Sequence, residues 1–157
     1  WVNVMVDKKQ IPNGSSIRAF EKAMGRSACI IVIMSTGYTT SLHCMLELSF
    51  ILKNAKNNIK KFAKRIVPVV LEGKSIDTPI DRDQCAAFVE GEIKKLRQLS
   101  HPSVNTTELI QELGSLLPYL NDVLYIFADT VTLRGYAKLS KANFQPVVDL
   151  VKKRLKL

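Results

Sequence analysis

Cys29–Leu48, CIIVIMSTGYTTSLHCMLEL, decides the reading of this chain. Cys29 to Met34 is an unbroken apolar run of β-branched character, which predicts a strand buried on both faces. The Ser-Thr-Gly-Tyr-Thr-Thr-Ser stretch after it is a turn, and Ser41 is suited to cap a helix running to about Ala55. That helix carries a single carboxylate, Glu47, on its second turn. In open α/β sheets ligands bind outside the carboxyl ends of the strands, so an acid just past such an end is placed for chemistry. On the same helix His43, Glu47 and Asn54 form one polar strip, while Leu42, Met45, Leu46, Leu48 and Leu52 cover most of the rest. Taken on helix position alone, Glu47 is a surface residue with an i,i+4 partner in His43.

Outward from this centre, strands alternate with helices. Trp1 to Val6 reads as a strand, and Asp7 to Ser16 as turn chemistry ending in serines that can cap a helix. Ile17 to Met24 places Ile17, Phe20, Ala23 and Met24 on one helical face, and Gly25 closes it. Arg65 to Leu71, RIVPVVL, is a strand whose Pro68 predicts an edge position or a bulge. Asp81 to Leu99 and Thr106 to Leu117 read as helices joined around His101-Pro102. Val123 to Phe127 reads as a short strand, and Asn143 to Leu157 as an amphipathic terminal helix. The pattern is α/β, a parallel sheet with helices on both faces. Residues 1–157 form one domain, with 77–117 a helical elaboration inside it.

Composition excludes several classes. The chain has 157 residues with the apolar and charged content of an ordinary globular domain. No stretch approaches the ~20 apolar residues that span a bilayer. Its three cysteines, Cys29, Cys44 and Cys85, are odd in number and lack CxxC spacing, as expected of reduced thiols in a cytoplasmic protein. No zinc-site spacing is present, so no metal and no bound cofactor are expected. The net charge of +9 gathers in two clusters, six cations without an acid from Lys53 to Arg65 and four more among the last six residues. Without interleaved aromatics or a nucleic-acid motif, these read as a solvated helix end and tail, with attraction of an anionic small molecule left open.

Residues Asp7 to Leu48 resemble a TIR (Toll/interleukin-1 receptor-like) domain, in the form most similar to prokaryotic defence TIR domains. The features that carry the resemblance are a strand, then Asp7 and Pro12-Asn13-Gly14, and Ile17-Arg18-Ala19-Phe20-Glu21. After these come Gly25-Arg26-Ser27, the apolar strand ending in Ser35, then Tyr38, Ser41 and Cys44-Met45-Leu46-Glu47-Leu48. RIVPVVL looks like the family's next strand. The resemblance implies a flavodoxin-like sheet, whose first strand and helix precede everything present here. That strand lies between the strands at Trp1 and Cys29, and without it buried backbone groups would go unpaired. A preceding segment outside this sequence is therefore expected.

The resemblance also implies function. In TIR enzymes a glutamate at the place of Glu47 is catalytic in cleaving NAD, giving nicotinamide and ADP-ribose or a cyclic ADP-ribose. NAD is then substrate, not cofactor. Tyr38, Ser41, His43 and Cys44 are the candidate substrate-binding neighbours, with Ser41 also the helix cap and Cys44 a packing residue with no activating base evident. His43 stands where many TIR enzymes carry a tryptophan. Asp7, Pro12, Asn13 and Gly14 correspond to the family's self-association loop, here Pro-Asn-Gly in place of the usual Pro-Gly. The implied role is an effector of innate immunity or antiviral defence, active on homotypic TIR–TIR assembly, with neither specific nucleic acid nor membrane as partner. The alternative is a non-enzymatic TIR scaffold that recruits other TIR domains.

Overall fold

The computed structural model describes residues 17–35, 37–71, 76–129 and 134–157. The expected Trp1 to Val6 strand and the Asp7 to Gly14 loop lie outside the described residues.

Two parallel strands organise the described chain: β1, Ile30–Met34, and β2, Ile66–Val70. They pair one for one from Ile30 opposite Ile66 to Met34 opposite Val70. Helix α1, Ile17–Gly25, precedes β1, and the crossover to β2 runs through α2, Leu42–Asn54, and α3, Ile59–Arg65. Ser41 caps α2, its hydroxyl accepting from the Cys44 amide at 3.4 Å. Lys56 and Asn57 both adopt positive φ and end the helix, and Asn58 caps α3 by accepting from the Lys61 amide at 2.9 Å. The basic run from Lys53 to Arg65 is therefore not one solvated helix end. It holds a second helix, anchored by the fully buried Phe62.

Pro68 lies in unbroken register opposite Val32, so there is no bulge. The edge reading fits: on its other side β2 has, among the described residues, only the single bridge from Val70 to Arg134. Gly135, at φ +83°, turns the chain there, a conformation that favours glycine, and its amide donates to the Val70 carbonyl at 3.0 Å.

Past β2 the described chain is helical: α4, Pro79–Arg97; α5, Val104–Leu116; α6, Leu120–Asp129; α7, Tyr136–Lys141; and α8, Gln145–Leu155. The expected strand at Val123 to Phe127 is the middle of α6. Leu120, Val123, Leu124 and Phe127 are all fully buried at i, i+3, i+4, i+7 spacing, a period that a five-residue window cannot resolve.

One face of the sheet, with Ile30, Val32, Met34, Ile66 and Val70, packs into the main core with buried residues of α2, α4, α5 and α6. The opposite face of β2, Val67 and Val69, packs on Leu139 of α7 and Val147 of α8. Helices thus lie on both faces of the sheet, and the described chain has an α/β fold. The expectation that β1 is buried on both faces fails: Ile31 and Ile33, on the side of Val67 and Val69, are 49% and 56% exposed. Strand chemistry set the apolar run, but among the described residues the cluster with Leu139 of α7 and Val147 of α8 takes in Val67 and Val69 of β2 and leaves Ile31 and Ile33 out.

Candidate functional site

The site lies at the carboxyl end of β1. From Met34 the chain passes Ser35 and Gly37 into a single 3-10 turn, Tyr38–Thr40, before Ser41 starts α2. This sharp reversal turns Tyr38 and Thr39 inward, where both are buried. It also aligns the first two turns of α2, with His43, Cys44 and Glu47, above the end of the strand.

Glu47 is half-buried. Burial pushes the Tyr38 phenol well above its usual range, and the charges of Glu47 and Cys44 act in the same direction. The phenol thus stays protonated, an O–H donor within the field of Glu47. Among the described residues neither the Tyr38 hydroxyl nor the Thr39 hydroxyl has a hydrogen-bond partner, though both atoms are buried. Two unspent hydroxyls in one turn are unusual in a folded interior, where such groups are nearly always paired.

Burial also pushes the Cys44 thiol up; the Ser41 hydrogen bond opposes the shift, while Glu47 and Glu21 add to it. A thiol held protonated is a weak nucleophile, which agrees with Cys44 as a packing residue. His43 stands at the margin with its side chain 76% exposed, and its Nδ1 lies 3.4 Å from Oε1 of Glu21 on α1. Its partner is thus on another helix, not only on its own.

Glu21 was not legible as a site residue. It is 3% exposed, a buried carboxylate whose charge reaches Cys44. The available signal was its place in the helix: Ile17, Glu21 and Met24 stand at i, i+4, i+7, so an acid occupies the apolar stripe of α1. Close packing of α1 on α2 holds it there. A Cβ on Gly25 would meet the Phe50 backbone and the Asn54 side chain at 3.1 Å. Arg65 closes the same junction, donating to the carbonyls of Gly25 at 2.5 Å and Ser27 at 2.6 Å.

Tyr38, Ser41, Cys44 and Glu47 therefore come together, with His43 paired to Glu21 on the rim, while Asp7, Pro12, Asn13 and Gly14 lie outside the described residues. Among the described residues no group of three or more His, Cys, Asp or Glu side chains is arranged to hold a metal ion. An acid beside protonated hydroxyls suits stabilising a developing positive charge and holding a polyol, and suits thiolate chemistry poorly.

A family model described as TIR domain matches residues 2–100, more than half of the chain. No curated protein and no solved structure matches it.

Proposed function

Because the chain belongs to the TIR-domain family, whose members act in signalling and immune-type responses, we propose that it is an NAD-consuming effector with Glu47 as its catalytic residue. The observation that carries this reading is the half-buried Glu47 past the carboxyl end of β1, with the buried Tyr38 phenol in its field.

The chemistry asks little of the protein beyond that arrangement. As the bond between the ribose C1′ and the pyridine nitrogen breaks, its electron pair neutralises the nicotinamide, so the leaving group needs no general acid. Positive charge develops on the ribose ring, and the Glu47 carboxylate stabilises it while accepting hydrogen bonds from the ribose hydroxyls. The Tyr38 phenol, kept protonated by burial, lies in the field of that carboxylate. Water adding to C1′ and losing a proton gives ADP-ribose; attack by an adenine nitrogen of the same molecule, with loss of its proton, gives the cyclic product. NAD is the substrate and no resident cofactor takes part.

Activity depends on self-assembly through the Asp7 to Gly14 loop, in a cytoplasmic defence response. Among the described residues no helix is long and apolar enough to cross a membrane. The intact protein, clustered at high concentration, is expected to release nicotinamide from NAD, and Glu47→Ala to abolish release while self-association persists. Assembly without nicotinamide release in the unaltered protein would instead support a TIR scaffold.

A further inference from the structure

The two basic clusters of the sequence meet in space at the end of the sheet farthest from Glu47. Lys64, in the last turn of α3, and Lys153 and Arg154, in the last turn of α8, line one cavity of about 330 Å³ together with Leu150. Some ninety positions of chain separate Lys64 from the other two cations, so only the fold brings them together. Lys64 lies two residues before β2. Arg154 lies close enough to Cys29, just before β1, for its charge to oppose the upward push of burial on that thiol. The cavity thus sits at the amino ends of both strands. Glu47 sits past the carboxyl end of β1, separated by a five-residue strand, or about 16 Å at the usual rise.

Three features mark this cavity as a place for an anion. Among the described residues none of Lys64, Lys153 and Arg154 forms an ion pair. The guanidinium Nε of Arg154 is buried and has no hydrogen-bond partner among the described residues. Among the described residues cations outnumber acids here: α3 has no acid, and the single acid of α8, Asp149, one helical turn before Lys153, accepts from the Gln145 side-chain amide at 2.7 Å.

Helix dipoles are the competing explanation, since cations are favourable at helix C-termini. Each terminus carries about half an elementary negative charge, so two account for about one of the three cations. With Asp149 counted as well, a net positive charge is still left over, of the sign that draws a phosphate monoester, which carries about −1.5 to −2 at neutral pH. The cavity volume lies at the small end of the range for ligand pockets.

We infer that the cleft between the C-terminal turns of α3 and α8 is a binding site for a soluble phosphate-bearing small molecule. Arg154 and the two lysines hold the phosphate, and Leu150 forms the apolar wall. This site is independent of the role of Glu47, and its failure would leave that assignment untouched.

Calorimetric titration of the intact protein tests it, with inorganic phosphate, pyrophosphate and AMP as probes at ionic strength held constant with sodium chloride. Saturable one-site binding is expected. The variant K64Q/K153Q/R154Q should weaken it at least tenfold, while K94Q/R97Q/K141Q, which removes three exposed cations elsewhere, should leave it unchanged. The single variant K64Q, at an exposed position, should weaken binding several-fold and carries the test should the triple variant not fold. Equal weakening in the two triple variants would overturn the site, because net charge alone would then explain it. Absence of binding to all three probes would overturn it too, as would binding only to vesicles containing phosphoinositide or only to DNA.

Discussion

The two ends of the same short sheet carry opposite chemistry. At the carboxyl end the chain reverses through one 3-10 turn, with a half-buried acid whose charge reaches the buried Tyr38 phenol. At the amino end two helices terminate with cations around a cleft. In both places, among the described residues, a buried polar atom lacks a hydrogen-bond partner, which is uncommon in a folded interior. The middle of the sheet differs from either end. There β2 is covered on both faces, and β1 is covered on one only.

Breaking the amino end should cost most. Phe62 is fully buried and anchors α3, so Phe62→Ala should destabilise the protein by about 3–5 kcal/mol in urea unfolding. It should also release the Lys64 side of the cleft. The unequal covering of the strands predicts a smaller contrast. Val69→Thr puts a hydroxyl into the layer beneath α7 and α8 and should cost about 1–3 kcal/mol. Ile33→Thr, at the neighbouring register position on the open face, should stay within about 0.5 kcal/mol, as surface changes usually do. Equal losses would mean that the open face of β1 is covered in solution.

Tyr38→Phe sharpens the carboxyl end. Removing a buried hydroxyl that has no partner should leave stability unchanged or raise it by up to about 1 kcal/mol. On the proposed mechanism nicotinamide release should nevertheless fall, because the phenol lies in the field of Glu47. The smallest effect is on pH dependence. Cys29 and Cys44 ionise from an ordinary value of 9.0 and Tyr38 from 10.0, and burial raises all three in the folded protein. Above about pH 9 the unfolded chain therefore binds fewer protons than the folded one. Stability should hold below pH 9 and decline as pH rises further, read as a falling midpoint of thermal unfolding.

Local signals made much of this architecture legible. Gly25 and Ser41 marked a helix end and a helix start, and both hold in the structure. RIVPVVL and the long helices after it were readable from composition and period. What failed was non-local. The run IIVIM carries no mark of which layer covers it, so the exposure of Ile31 and Ile33 depends on how far α7 and α8 extend. VLYIF is rich in β-formers, yet Leu120 upstream completes a helical stripe that packing enforces. Glu47, Tyr38, Ser41 and Cys44 were legible because a single strand-turn-helix carries them all. Glu21 and Thr39 were not, since each needs a neighbouring element to show that it is buried. Two basic runs so far apart in sequence gave no sign that they share one cleft.

The measurement that tests the assignment of Glu47 most directly is chromatographic quantitation of nicotinamide released from NAD by the intact, clustered protein, compared with Glu47→Gln. The substitution keeps the size of the side chain and removes its charge. With folding checked by circular dichroism, release by the variant should fall at least about 100-fold, in keeping with the loss of one charge-stabilising group. Release at the same rate in both proteins would contradict the account.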